Sequence, residues 1–154
     1  MIRKVISGGQ NGVDLTALEV AKELGYQTGG WAPKGYKTTT GPNLDLRDLY
    51  GLQEHELDRY PPRTFANVRD SDGTLRIAFH FDTPGELCTL KAIKAYERPY
   101  FDVLVGEQDW ISLLDKAKEW LDFHDIQILN VAGNANKQIV PIARAFLKEV
   151  LYDM

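Results

Sequence analysis

Residues 7–14 read SGGQNGVD, with two adjacent glycines, an Asn-Gly pair and an aspartate in one short run. Glycine at that density is entropically costly inside a regular element, so it marks backbone that turns sharply or approaches something closely. On its amino side, RKVIS (3–7) has the character of a short strand. On its carboxyl side, VDLTALEVAKEL (13–24) sets Ala17, Leu18, Ala21 and Leu24 at helical spacing until Gly25 stops them. The stretch is therefore predicted to be the loop of a strand, loop and helix unit, and what such a loop most readily approaches is an anion.

The same alternation continues outward. Residues 26–28 can form a second short strand ended by Gly29 and Gly30, after which GWAPKGYKTTTGPN (30–43) is rich in turn residues and predicts a long surface excursion. Residues 44–60 carry scattered apolar side chains and assign themselves to no element. A short helix is expected from about 62 to 70, with Asp70 to Gly73 turning into a strand at 75–81 (LRIAFHF). A helix at 85–96 with Leu87, Leu90 and Ile93 inward and a strand at 100–105 come next. Trp110, Leu113, Leu114, Ala117, Trp120 and Leu121 then make an amphipathic stripe, 126–132 a strand, and Ile139, Ile142, Ala143, Phe146, Leu147 and Val150 a last helix. Strands alternating with helices imply right-handed crossovers. The expected fold is α/β: a Rossmann-like, doubly wound, mainly parallel sheet of about five or more strands with helices on both faces, in a single domain over residues 1–154.

Bulk properties narrow the function. The chain has 154 residues, 44% of them hydrophobic and 26% charged, and no apolar run approaches the roughly 20 residues of a membrane span. The opening MIRKVISGG meets glycine too soon for a signal-peptide core, and one cysteine, Cys88, suits a reducing compartment. These features lead to the expectation of a cytoplasmic protein. A formal charge of -4 disfavours wrapping of nucleic acid, so the expected partner is a small anionic ligand.

Sheets of this kind bind ligands beyond the carboxyl ends of their strands. Three loops are expected there: 7–14, FDTPGELCT (81–89) and NVAGNANK (130–137). Helix starts leave backbone N–H groups without intrahelical partners and carry partial positive charge, which suits phosphate or oxyanion groups. In the first loop, Gly8 and Gly9 can supply the tight turn, Gln10 and Asn11 amide donors, Gly12 clearance, and Asp14 a first-turn charge. In the second, Thr83 is a candidate N-cap, with Gly85 and Glu86 in the first turn. Gly133 and Asn134 belong to the third. Lys34, between turn-formers in WAPKG, could neutralise an anion, and Arg63, at the start of the helix that returns from the rim, is the better-placed cation. Asn67, one turn later, could add an amide contact, whereas Arg69 belongs to the surface. Neither a catalytic set nor a metal-ligand set emerges: His55, His80 and His124 lack ligand spacing, and His80 reads as a core or edge residue of its strand.

The strings GGQNGVD, GGWAPKG, RTFANVRDSDGT and LNVAGN, in this order, resemble the molybdenum carrier family, a circularly permuted branch of the lysine-decarboxylase-like nucleotide-binding superfamily. The likeness covers nearly the whole chain. It implies a Rossmann-like fold, a homo-oligomer and more specifically a tetramer, and molybdenum cofactor, molybdate or a related phosphorylated pterin as cargo, with no catalytic cofactor. GGQTGVD is the commoner form there, so Asn11 replaces a hydroxyl with an amide. A more distant likeness is to phosphoribohydrolases that release bases from nucleotides and carry an Arg-Lys pair on a helix and then PGGxGTxxE; here Thr64 stands in place of that lysine. Arg63 stands at that arginine, and PGELCT keeps Pro84, Gly85 and Thr89 but puts Glu86 and Cys88 where glycines are expected. The catalytic glutamate falls at Ala92, which cannot assist water attack or stabilise an oxocarbenium-like centre. The resemblance thus favours carriage over turnover, with a nucleotide-processing enzyme or a nucleotide sensor as alternatives.

Overall fold

The computed structural model of the chain describes residues 1–106 and 109–152; the side chains at 110 and 111, and so the inward placement expected for Trp110, lie outside that description. In chain order the elements are β1 (Lys4–Ile6), α1 (Val13–Glu23), β2 (Gln27–Gly29), β3 (Trp31–Ala32), β4 (Lys37–Thr38), β5 (Gly41–Pro42), α2 (Asp45–Asp48), β6 (Gln53–Glu54), α3 (Tyr60–Arg69), β7 (Gly73–Ala78), α4 (Pro84–Tyr96), β8 (Tyr100–Leu104), α5 (Trp110–Phe123), β9 (Ile128–Gly133) and α6 (Val140–Leu151). A 3-10 turn at Lys34–Tyr36 precedes β4, and another at Lys137–Ile139 leads into α6.

Five strands form the main sheet in the order β2-β1-β9-β7-β8, every pair parallel. Counted from β9 as the first strand, this is the order 3-2-1-4-5 of a doubly wound nucleotide-binding sheet, with its opening strand moved to the end of the chain. Residues of α1, α5 and α6 pack with the strands in one large apolar cluster, which includes Val13, Val20, Leu121, Phe146 and Leu147. Val68 of α3 and Ala92 and Ile93 of α4 form a smaller cluster with Phe65. The helices therefore divide between two layers, as parallel strands with both faces covered require.

Several local expectations change in the structure. Helix α3 begins two residues early, at Tyr60, because Pro61 and Pro62 sit in its first turn, where a missing N–H costs nothing. Strand β7 ends at Ala78, so His80 leaves the sheet and lies in the following loop with an exposed side chain. In α4 the inward stripe is Glu86, Thr89, Ala92 and Ile93, whereas Leu87 is 53% exposed. The helix is rotated from the apolar pattern because small Thr89 and Ala92 allow close packing while polar partners satisfy the buried Glu86. The 30–59 excursion carries its own small core, in which Leu18 of α1 meets Ala32, Tyr36, Leu46 and Leu52. That core also gives the unassigned 44–60 region its order.

Candidate functional site

The topological switch of this sheet lies between β9 and β7, and crevices at such points are where open α/β sheets hold ligands. A cleft of about 420 Å³ opens there. Its walls are Gln10 and Asp14 after β1, Tyr60, Pro61, Arg63 and Thr64 at the start of α3, His80 and Thr83 to Glu86 after β7, Cys88 one turn into α4, and Ala132 to Asn136 after β9.

Arg63 supplies the cation. Its side chain is 12% exposed, Nη1 donates to Thr64 Oγ1 at 3.0 Å, and Nη1 stands 3.8 Å from Asp14 Oδ2. The guanidinium lies 5.5 Å from the Tyr60 ring centre. Beneath it, a Cβ at Gly8 would come within 2.2 Å of Nη1 and 2.5 Å of Cζ, so only glycine leaves room for the arginine. Among the described residues Arg63 Nε is buried without an acceptor, a condition that costs free energy unless something else answers it.

Two carboxylates share the cleft. Asp14 is 4% exposed, and Oδ2 accepts the Gln10 N–H at 3.4 Å. Burial raises its pKa from 3.8 to about 6; Arg63 and the Gln10 amide oppose the shift, and Glu86 adds to it. Glu86 is 7% exposed at the first turn of α4. Its Oε2 accepts a hydrogen bond from the Thr83 hydroxyl, and Thr83 Oγ1 in turn accepts the Glu86 N–H at 3.4 Å, which caps the helix. Burial lifts the Glu86 carboxyl above its ordinary range, opposed first by the Asn134 amide and more weakly by Arg76 and His80. Burial likewise pushes the Cys88 thiol up.

Asn134 stitches the switch point. Its Oδ1 accepts the Phe79 N–H at 2.7 Å, Nδ2 donates to the His80 carbonyl at 3.4 Å, and its carbonyl accepts the Val13 N–H at 3.1 Å. Gly12, at φ 85°, permits that last contact, since a Cβ there would lie 2.3 Å from the Asn134 oxygen. Behind α4, Arg76 is 2% exposed and holds Asp102 through Nε at 2.7 Å and Nη2 at 2.6 Å, while Nη1 donates to the Glu86 carbonyl at 3.0 Å. The start of α4 is thereby tied to β7 and β8.

Of the residues singled out in the sequence, Gln10, Arg63, Thr83, Gly85, Glu86, Gly133 and Asn134 line the cleft, and Gly8 lies beneath Arg63. The others serve elsewhere. Gly9 packs toward Leu46 and Leu52. Asn11 Nδ2 donates to the Thr39 and Thr40 hydroxyls at 2.9 and 3.0 Å, fastening the glycine loop to the excursion. Asn67 grips the backbone of Trp31 through both ends of its amide, at 2.8 and 3.0 Å. Thr89 Oγ1 donates to the Gly85 carbonyl at 3.0 Å inside α4. Lys34 is exposed on the excursion; Lys37, unmarked in the sequence reading, comes nearer, with Nζ 5.7 Å from the centre of the Tyr60 ring. Several glycine-loop amides already meet the chain's own acceptors: Gly9 N–H meets Ser7 Oγ, Gln10 N–H meets Asp14, and Asn11 N–H meets Gln10 Oε1. Ala92 is buried with Val68 and Ile93, away from the cleft. The sequence reading missed Tyr60 and the inward turn of Asp14; the spacing of Tyr60 and Arg63 by three on one helix was the available signal for the first.

Residues 5–151 match the model of the circularly permutated YpsA SLOG family. The fold superposes with a TM-score of 0.85 on the crystal structure of a "Putative molybdenum carrier protein" from Syntrophus aciditrophicus SB, at 33% sequence identity over 97% of this chain and 92% of that one. No curated protein matches the chain. No helix among the described residues is long and apolar enough to cross a membrane, and among those residues no cluster of three or more His, Cys, Asp or Glu side chains could hold a metal ion.

Proposed function

The chain belongs to the circularly permutated YpsA SLOG family, and from that premise we propose that its switch-point cleft binds a small anionic ligand, molybdenum cofactor foremost, as cargo to be carried or stored. Arg63 carries this reading: a nearly buried guanidinium held over Gly8, with an Nε that meets no acceptor among the described residues, faces the cleft beside the first turn of α4. A terminal phosphate placed between that guanidinium and the helix start gains charge-assisted hydrogen bonds and the favourable end of the helix dipole. The name of the Syntrophus protein supports a molybdenum-containing cargo. The proposed working form is a homo-oligomer.

A second reading, nucleotide processing, draws on Glu86, which stands in the cleft although Ala92 does not. A buried carboxyl with a raised pKa is suited to general acid work.

Anaerobic incubation with molybdenum cofactor, gel filtration and metal analysis test the first reading, with co-eluting molybdenum as the expected result. Replacing Arg63 with Met is expected to weaken binding by about 10- to 100-fold, the size of a hydrogen bond to a charged group. Absence of co-eluting molybdenum, or full retention by the Arg63→Met variant, refutes it. Base release from nucleoside monophosphates that disappears in an Arg63→Ala variant selects the second reading.

A further inference from the structure

Resting on the reading that the cleft holds an anion, we infer that the anion enters together with a proton, which Asp14 takes from solvent on loading and returns on release. Among the described residues the cleft is lined by one guanidinium, Arg63, against two carboxylates, Asp14 and Glu86. Asp14 Oδ2 lies 3.8 Å from Arg63 Nη1, and the two side chains are 6% and 12% exposed, so water screens the pair poorly. While Asp14 is ionised, the charge of Arg63 is already answered, and an arriving anion of any size meets a carboxylate beside the guanidinium it needs. A proton on Asp14 removes that repulsion and frees Arg63 for the ligand.

Every element around Asp14 bears on this exchange. On its own loop the Gln10 N–H donates to Oδ2 at 3.4 Å, and α3 brings Arg63. From α4 come Glu86, whose charge raises the Asp14 pKa, and Cys88 farther along the wall; the loop after β7 brings His80. Residues 132–136, after β9, carry no charge. Glu86 is held by the Thr83 hydroxyl, whereas Asp14 Oδ1 accepts no hydrogen bond among the described residues and is the oxygen open to the proton. A carboxyl protonated there is a donor to an oxyanion that the carboxylate repels. The free chain already keeps this proton up to about pH 6. A bound anion extends that range upward, because a negative neighbour favours the neutral carboxyl.

Sulfate, a dianion throughout the range used, is the probe, since a phosphate would itself titrate. Its affinity for the full chain is measured from pH 5 to 8 by NMR titration of the Arg63 Nε–H, and the protons absorbed on binding are counted in weakly buffered solution. In the wild-type chain affinity is expected to be level below about pH 6 and to fall about tenfold per pH unit above it, with about one proton absorbed per sulfate at pH 7. Asp14→Asn, neutral at every pH, is expected to give a level profile and to bind sulfate about 100-fold more tightly than wild type at pH 8. The slope and the proton are expected to persist in Glu86→Gln and in His80→Gln, which remove two other titrating groups of the wall. If Asp14→Asn fails to fold, the proton count decides: absorption retained by the wild-type, Glu86→Gln and His80→Gln chains supports the inference, and its loss in either variant overturns it. Sulfate binding that is level with pH in the wild type or absorbs no proton, or a slope that survives in Asp14→Asn, overturns the inference while leaving an anion-binding cleft in place. Failure of sulfate to bind at any pH overturns both.

Discussion

Removing the charge of Asp14 should change how stability responds to pH. The folded chain holds the Asp14 proton up to about pH 6, whereas the unfolded chain releases it near 3.8. Between these limits the native state binds more protons than the unfolded one, so stability falls as pH rises through the interval and levels off above it. A difference of roughly 2 units at about 1.4 kcal/mol each gives a loss on the order of 3 kcal/mol at neutral pH. Asp14→Asn lacks this titration, so its stability relative to wild type should rise by about that amount between pH 4 and 7. The pair with Arg63 is also lost, and so is the repulsion from Glu86 that raises the Asp14 pKa; both act on the absolute values, while the change with pH reports Asp14. Urea denaturation of both proteins at intervals from pH 4 to 8 measures it. With a slope of about 2 kcal/mol/M, the difference between their midpoints should shift by roughly 1.5 M across the range. Parallel profiles for the two proteins would refute the placement of Asp14 as a buried, protonatable carboxyl.

Gly8→Ala places a methyl where the Arg63 guanidinium lies, and because a side chain rather than backbone must yield, stability is expected to drop by less than about 1.5 kcal/mol while ligand affinity falls as far as in Arg63→Met. Titration beside thermal melts checks this, and an alanine variant with wild-type affinity contradicts the seat described for Arg63. Arg76→Met strips the bidentate partner from Asp102 and the donor from the Glu86 carbonyl, and is expected to cost about 3–5 kcal/mol. An unfolding free energy from urea denaturation within about 1 kcal/mol of wild type, on the same scale of buried-pair costs, would show that this pair holds α4 in place less firmly than its geometry indicates.

The strand and helix alternation was legible because apolar spacing reports burial directly, and the loops at the strand ends followed from it. Which residues would share the cleft was legible only in part. Arg63 could be placed because a helix leaving the rim must start there, yet the companionship of Arg63 and Asp14 depends on tertiary packing that no local spacing encodes. Leu87 misled because apolar periodicity cannot anticipate an inward glutamate satisfied by Thr83 and Asn134. Asn67 has the chemistry of a ligand contact and the geometry of a backbone clamp; only the position of Trp31, reached through the long excursion, distinguishes them. Residues 44–60 were unreadable because Leu46 and Leu52 bury themselves against a satellite core rather than along a regular face.

Strand β9 occupies the middle of the main sheet although it is the last strand in chain order. A nascent chain can pair β1 with β2 and β7 with β8 as they emerge, but each half keeps an unbonded inner edge until residues 128–133 arrive to bridge them. Lys4 must then find Ile128 across most of the polypeptide, a closure that slows folding and leaves those edges able to template aggregation meanwhile. Synthesis arrested before β9 thus yields two adhesive fragments of sheet rather than a half-built domain, and completion comes as one late zippering event.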